Sequence, residues 1–177
     1  MATAGIVQGL IRDIPDFPEP GIIYKDITPL LADPVGFDLA VHAMADPWAD
    51  LGVELVVGVE ARGFLFGATI ARQLGLGFVP VRKPGKLPHT ISSIDYGLEY
   101  GTDTLEMHTD AIGEGQKVVV IDDVLATGGT AAATGELVER HGGSLVGFGF
   151  LLELGFLDGR AQLGPRRIES LLMVDGA

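Results

Sequence analysis

Residues 118–130, which read VVVIDDVLATGGT, decide the fold of this chain. Four consecutive β-branched residues are typical of a strand that is buried on both faces in a parallel sheet. The carboxylates Asp122 and Asp123 follow them, and a Thr-Gly-Gly-Thr turn then opens a helical pattern over 131–141. The stretch therefore predicts a strand, a glycine-rich loop and a helix. The two acids would lie at the carboxyl edge of a sheet, where open α/β sheets bind ligands.

The loop at 126–130 predicts a phosphate site. A glycine-rich turn into a helix leaves backbone N–H groups unpaired, and together with the helix dipole these favour an anion. Acids beside such a cradle fit a ligand that carries both hydroxyls and a phosphate, such as a ribose 5-phosphate. No lysine follows the glycines, as a Walker A loop requires, and the Gly-x-Gly-x-x-Gly spacing of dinucleotide folds is absent. By themselves, Gly128 and Gly129 are equally consistent with a tight connection that needs only positive φ.

The composition indicates a single α/β domain that covers residues 1–177. Hydrophobic residues make up 47% of the chain and glycine occurs 26 times, and a chain of this length buries about 70% of its unfolded surface. No apolar run approaches the ~18 residues that span a bilayer. No cysteine is present to form a disulfide or a thiolate metal site. We therefore expect a cytoplasmic protein without a membrane partner.

The charge of the chain bears on its partners. A net charge of −12 argues against nucleic acid, because nucleic-acid phosphates require a basic surface. An acidic protein that binds a polyanion must concentrate its few cations where the anion lies. Only 12 Lys and Arg residues are present, and Arg82, Lys83 and Lys86 lie close together in the sequence. This cluster predicts a second anion-binding loop, although a solvated surface cluster gives the same pattern.

Strands alternate with helices along the chain, which favours a mainly parallel central sheet with helices on both faces. Helices are predicted at 6–14, 34–45, 64–74 and 131–141, with Asp33-Pro34 as the signal that starts the second helix and Gly75 following the third. Strands are predicted at 55–59, 78–81, 104–108, 118–121 and 145–152. Residues 16–26 are rich in Pro and Gly and predict an ordered turn segment. Residues 83–103 are polar and predict a structureless lid over a functional site.

Read with six other segments, 118–130 resembles a known family. The stretch itself is similar to the motif by which type I phosphoribosyltransferases bind phosphoribosyl diphosphate (PRPP). The other segments resemble the adenine phosphoribosyltransferase family, in the same order, over about residues 11–160. They are PDFPEPG at 15–21, KDITP at 25–29, EARGF at 60–64, RKPGKLP at 82–88, LEYG at 98–101 and EL at 153–154. The resemblance implies a single-domain type I phosphoribosyltransferase-like fold with an N-terminal hood segment and a flexible lid loop.

The resemblance also implies a reaction. The phosphoribosyl group of PRPP would be transferred to N9 of adenine, which gives AMP and pyrophosphate in purine salvage. Mg²⁺ would be bound through the diphosphate of PRPP and not directly by protein side chains, and the protein would be a homodimer. Two alternatives stay open: a non-catalytic PRPP-binding regulatory module on the same fold, and a transferase for another 6-substituted purine.

Matched motifs assign residues to three groups. The PRPP contacts would be Glu60, Ala61, Arg82, Lys83, Lys86, Asp122, Asp123, Ala126, Thr127, Gly128, Gly129 and Thr130. The adenine contacts would be Ile23, Tyr24, Lys25 and Leu154. The catalytic residues would be Arg62, Glu99 and Tyr100, with Glu99 as the partner of adenine N7 and Tyr100 closing the site.

Each of these assignments has a plain structural alternative. Arg62 and Glu99 are also consistent with solvated surface positions, and Ile23, Tyr24 and Leu154 with the core. Lys25 stands where the family commonly has Arg, and Lys lacks the planar fork that makes a bidentate contact.

Overall fold

The structure, a computed structural model, describes residues 2–97 and 102–176. Its α-helices are α1 (Ala2–Gly9), α2 (Thr28–Ala32), α3 (Pro34–Ala45), α4 (Gly63–Leu74) and α5 (Gly129–Arg140). Its strands are β1 (Arg12–Pro15), β2 (Ile23–Asp26), β3 (Leu55–Val59), β4 (Gly77–Val81), β5 (Ile91–Gly97), β6 (Thr102–His108), β7 (Lys117–Leu125), β8 (Ser144–Leu154) and β9 (Arg167–Val174). Short 3-10 helices lie at Asp46–Trp48, Gly155–Leu157 and Gly159–Leu163.

Five strands form the central sheet in the order β4-β3-β7-β8-β9, and every neighbouring pair is parallel. β7 lies in the middle, and residues 118–121 are fully buried, as expected of a strand covered on both faces. The strand is longer than predicted, because Asp122 pairs with Phe150 and Leu125 with Glu153 on β8. The two acids therefore lie inside the strand and not after it.

Helices cover both faces of the sheet, together with the hairpin β5–β6 on one of them, which confirms the predicted fold class. On one face, α5 and the hairpin β5–β6 pack on a core that includes Val120, Phe148 and Phe150. On the other face, α1, α3 and α4 pack on a core that includes Trp48 and Ile121. The strands that end at the carboxyl edge of the sheet are thus packed on both faces.

Helix ends follow the predicted signals. The carboxylate of Asp33 accepts the N–H groups of Val35 at 3.1 Å and Gly36 at 2.7 Å, with Pro34 at the first position of α3. α4 ends at Gly75, whose φ of +71° favours glycine. The bounds of α3, α4 and α5 agree with the predictions to within two residues. Strand β9 at the sheet edge was not predicted.

The prediction of a helix over 6–14 is wrong beyond Gly9. β1 pairs antiparallel with β2, so that Arg12 lies opposite Asp26 and Pro15 opposite Ile23. A residue before proline favours extended backbone, which ends the helical pattern. The turn segment 16–26 therefore contains a strand, and β1 and β2 form a hairpin that we call the hood.

The prediction of a structureless lid over 83–103 is wrong for residues 91–97, which form β5, and for Thr102 and Asp103, which begin β6. β5 pairs antiparallel with β6, from Ile91 opposite His108 to Gly97 opposite Thr102. Within β5 only Ile94 and Tyr96 are buried, so the polar residues of the other face concealed the strand in the composition. Residues 98–101 lie outside the described residues. No helix in the described part of the chain has the length and apolar character needed to cross a bilayer.

Candidate active site

A cleft of about 390 Å³ opens where β3, β4 and β7 end. Because parallel strands end at the same edge of a sheet, loops that are distant in sequence converge there. The cleft is lined by Glu60, Ala61, Arg62, Lys83 and residues 122–131. It therefore unites most of the residues predicted to contact PRPP, with Arg82 and Lys86 beside it.

The loop 126–130 leads directly into α5. Gly128 precedes the helix with a φ of +88°, a conformation that favours glycine. Its backbone also packs closely, since a Cβ on Gly128 would lie 2.3 Å from the carbonyl oxygen of Gly159. No side chain of the described residues caps α5, so the N–H groups of its first turn are available to an anion.

Asp122 and Asp123 form a pair of poorly hydrated carboxylates. Burial raises the pKa of Asp122 well above its usual value, and the adjacent charge of Asp123 adds to this effect. Asp122 keeps some accessible surface towards the cleft, but the protein packed around it limits the hydration of its charge. Burial also raises the pKa of Asp123, although Arg62 opposes the shift. Hydroxyl donors from a sugar would suit both groups.

Arg62 connects the acid pair to the hood. Its Nε lies 2.8 Å from Oδ2 of Asp123, yet that oxygen makes no aligned hydrogen bond to the described residues. The contact is thus an ion pair rather than a directed bond. One terminal nitrogen of Arg62 donates to the hydroxyl of Tyr24, and the guanidinium lies 5.4 Å from the centre of the Tyr24 ring. The predicted catalytic residue Arg62 is therefore held between Asp123 and the predicted adenine contact Tyr24.

The carboxylate of Glu60 binds the basic loop, residues 82–86. It accepts Nε of Arg82 at 3.2 Å, the backbone N–H of Lys83 at 3.0 Å and the ammonium of Lys86. Burial alone would raise the pKa of Glu60, but these hydrogen bonds hold it below its usual value. The peptide bond between Glu60 and Ala61 is cis. The side chain of Glu60 is thus bonded to the loop 82–86. The backbone of Glu60 and Ala61 is left to face the cleft.

Three of the predicted adenine residues, Ile23, Tyr24 and Lys25, lie in β2 of the hood, whereas Leu154 ends β8. Ile23 is 40% exposed. Nζ of Lys25 lies 2.7 Å from Asp13 Oδ1, and Lys25 lines a separate cavity of about 180 Å³. Tyr24 is the predicted base residue that the structure joins to the cleft, through Arg62. The predicted catalytic residues Glu99 and Tyr100 lie outside the described residues.

Sequence reasoning missed two groups of residues near the cleft. Tyr96 and Asp103 of the hairpin β5–β6 both contact Lys83; the alternation of Ile94 and Tyr96 was the signal available for this strand. Glu153 is buried and binds Arg160, although it entered the sequence reasoning only as part of a motif.

Comparisons with known proteins agree with this geometry. Residues 39–170 match the family model described as phosphoribosyl transferase domain. The chain is 60% identical to the adenine phosphoribosyltransferase of Myxococcus xanthus over 92% of this chain and 88% of that protein. It is similar to the solved adenine phosphoribosyltransferase of Thermoanaerobacter pseudethanolicus, with a TM-score of 0.94, 51% identity and coverage of 97% of this chain and 99% of that one.

A second solved structure carries ligands. The adenine phosphoribosyltransferase of Saccharomyces cerevisiae, complexed with an imino-altritol bisphosphate and adenine, has a TM-score of 0.92 and 40% identity, with coverage of 97% of this chain and 99% of that one. Both solved structures match nearly the whole chain, so the likeness includes the hood and the sheet edge that carries the cleft. This chain belongs to the adenine phosphoribosyltransferase family.

Proposed function

We propose that this protein transfers the phosphoribosyl group of PRPP to N9 of adenine and releases pyrophosphate, giving AMP. The observation that carries the proposal is the single cleft that joins the acid pair and loop 122–130 to Arg62 and Lys83. It offers carboxylates for sugar hydroxyls and a helix N-terminus for a phosphate, with cations for a diphosphate. The yeast relative, whose complex contains adenine, supports the choice of base.

The proposed chemistry is mainly positioning and charge stabilisation. The bond from C1 to the diphosphate oxygen breaks, and its electron pair leaves with the diphosphate. A bond from N9 to C1 forms with an electron pair of N9, and the N9 proton passes to solvent. Asp122 and Asp123 would hold the ribose hydroxyls, the loop 126–130 would hold the 5-phosphate, and negative charge beside the ring favours a cationic ribosyl group.

Cationic residues would bind the leaving diphosphate. Arg62 and Lys83 line the cleft, and Arg82 and Lys86 are fixed beside it through Glu60. We assign the backbone at Glu60 and Ala61 to the same diphosphate.

The base would lie at the hood. Backbone groups of Ile23 would read its edge, and Tyr24, Leu154 and the backbone of Lys25 would enclose it. The hydrogen bond between Tyr24 and Arg62 supports this placement, since it joins the hood to the cleft. Glu99 and Tyr100 stay predictions for proton donation and closure.

We propose Mg²⁺ as the cofactor, bound through the diphosphate of PRPP. Mg²⁺ prefers oxygen ligands and often binds substrate phosphates with few protein ligands. Within the described residues no group of three or more potential ligands could hold an ion alone, while Asp122 and Asp123 place carboxylate oxygens on the cleft wall. When bound, the ion offsets charge on the leaving diphosphate. Turnover should stop in EDTA and return with added Mg²⁺.

We propose further that residues 1–177 form one domain and that two copies associate. Large apolar side chains are exposed at Ile22, Val35 and Leu65, which are 45%, 66% and 44% accessible, and burial of such groups between two copies would be favourable. Sedimentation equilibrium should give twice the chain mass; a monomer at all concentrations would exclude the dimer. A cytoplasmic location stays a prediction from composition.

The test of the proposed function is an HPLC assay of nucleotide formation with PRPP and Mg²⁺ across adenine, hypoxanthine, guanine and uracil. We expect AMP from adenine and essentially no product from the others. Equal turnover of hypoxanthine would exclude the adenine assignment. PRPP binding without turnover of any base would favour the regulatory module, and faster turnover of another 6-substituted purine would favour the related transferase.

Two Asp→Asn variants, one in the acid pair and one on the surface, test the proposed ribose contact. Asp122→Asn should greatly lower kcat/KM for PRPP, because it removes a charged acceptor from the proposed ribose site. Asp38→Asn is the control, since the Asp38 side chain is 70% exposed and remote from the cleft. Unchanged kcat/KM for PRPP in Asp122→Asn would remove that residue from the ribose contact.

A further inference from the structure

The hydroxyl of Tyr96 lies where the hairpin β5–β6 meets the cleft. Tyr96 is 9% exposed. Its hydroxyl donates to Oδ2 of Asp103 at 3.1 Å, and it accepts from Nζ of Lys83 at 3.2 Å and from Oγ1 of Thr130 at 3.2 Å. A phenol has one hydrogen to donate and two lone pairs. These three partners therefore fill its capacity.

The ring of Tyr96 is also fixed by packing. A Cβ on Gly129, the first residue of α5, would lie 3.4 Å from Cδ2 of Tyr96 and 3.3 Å from the carbonyl oxygen of Gly97. Nζ of Lys83 lies 5.7 Å from the ring centre. The hairpin thus rests directly on the start of α5, and the hydroxyl can move little without moving both loops.

The charged partners reinforce each other. Lys83 also donates to Asp103, so ammonium, carboxylate and phenol form a closed triangle. Burial alone would lower the pKa of Lys83, but Asp103 and Tyr96 raise it above its usual value. Lys83 is therefore held as a cation at one fixed place on the cleft wall.

We propose that Tyr96 is a positioning residue, one that joins the hairpin β5–β6 to the phosphate loop through Thr130 and orients Lys83 towards the diphosphate. The proposal rests on the function proposed above and adds a residue to it. Thr130 has a single hydroxyl hydrogen, which is directed to Tyr96. The backbone N–H groups at the start of α5 stay available to a phosphate while this bond persists. The Tyr96 hydroxyl therefore fixes the distance between the phosphate loop and the ammonium of Lys83.

Tyr96→Phe tests the proposal, because it keeps the ring and removes only the hydroxyl. We expect KM for PRPP to rise about tenfold, the loss of one hydrogen bond to a charged group. KM for adenine and kcat should stay within about twofold of the wild type. A merely structural role would change kcat and both KM values together, along with the thermal midpoint.

Three further variants sharpen the test. In a Thr130→Val background, Tyr96→Phe should raise KM for PRPP clearly less than in the wild type, since contacting residues are not additive. Thr104→Val is the matched control, because it removes a hairpin hydrogen bond of 2.6 Å to Asp95 on the exposed face. It should leave KM for PRPP unchanged. If Tyr96→Phe folds poorly, Asp103→Asn tests the same triangle and should move KM for PRPP in the same direction.

The outcomes separate this proposal from the proposed function. Failure of the wild type to form AMP would contradict the function, and the thermal shift of the protein by PRPP would then measure binding directly. A smaller shift in Tyr96→Phe would still support the positioning role. The role of Tyr96 is overturned if its variant binds PRPP as the wild type does, if Thr104→Val has an equal effect, or if Tyr96→Phe and Thr130→Val are additive.

Discussion

Arg160→Met should destabilise the protein and weaken the phosphate loop together. Glu153 is 3% exposed at the end of β8. It accepts Nε of Arg160 at 2.5 Å, a terminal nitrogen of Arg160 at 2.8 Å and Oγ of Ser170 at 2.5 Å. Arg160 belongs to the segment Gly159–Leu163, and a Cβ on Gly159 would lie 2.2 Å from the carbonyl oxygen of Ala126. The ion pair therefore supports the back of the loop 126–130.

The structure sets the size of the effect. Removing one partner of a buried ion pair costs about 3–5 kcal/mol. The Arg160 side chain is 43% exposed, so water screens the pair and we reduce this to about 2 kcal/mol. For a protein of this length, such a loss lowers the thermal midpoint by about 4–8 °C. KM for PRPP should rise as well, because the loop loses its support.

The pH dependence has a definite sign. Burial alone would raise the pKa of Glu153, but the hydrogen bonds from Arg160 and Ser170 hold it below its usual value. A carboxyl whose pKa is lowered by folding stabilises the folded state above its unfolded pKa. That stabilisation is lost as the pH falls through the lowered value. The difference in thermal midpoint between wild type and Arg160→Met should therefore be large at neutral pH and shrink below pH 4.5.

Thermal unfolding followed by circular dichroism at neutral and acid pH measures this difference. Arg166→Met is the control: Arg166 lies 2.8 Å from Glu139, but both side chains are more than one-third exposed, so its loss should cost less than about 1 kcal/mol. The reasoning is refuted if both variants lower the midpoint equally, or if the difference persists unchanged in acid.

Two further predictions concern the acid pair. Gly63→Ala should lower kcat/KM for PRPP by about a hundredfold, because the new Cβ would lie 2.5 Å from Oδ1 of Asp122 and displace that carboxylate. Steady-state kinetics measures this effect. Gly5→Ala is the neutral control, since nothing lies within 4 Å of a Cβ at that position. Asp122→Asn should raise the thermal midpoint at pH 8 and have little effect below pH 3.8, because folding raises the pKa of Asp122 above that unfolded value and the buried charge is unfavourable only when it forms. A lower midpoint at pH 8 would contradict this account of the acid pair.

Local signals in the sequence predicted the central scaffold. The β-branched run at 118–121 and the capping signal Asp33-Pro34 each act within a few residues, so the strand and the helix follow from local chemistry alone. The hairpins β1–β2 and β5–β6 did not follow in this way. Their strands are stabilised by partners in other segments and by one buried face, which composition does not record. The same holds for Tyr96, whose partner Thr130 lies 34 residues away in sequence.

The cations around the cleft are paired with carboxylates that line the cleft or lie beside it. Arg62 pairs with Asp123, Lys83 with Asp103, and Arg82 and Lys86 with Glu60. An anion that binds Arg62 must compete with Asp123, and a simple anion would leave that buried carboxylate without a partner, which is costly. A ligand with hydroxyls beside its phosphates can donate to the carboxylates that it separates from their cations. The pairing therefore lowers the affinity for simple anions relative to that for a phosphorylated sugar. This is the selectivity that a PRPP site requires.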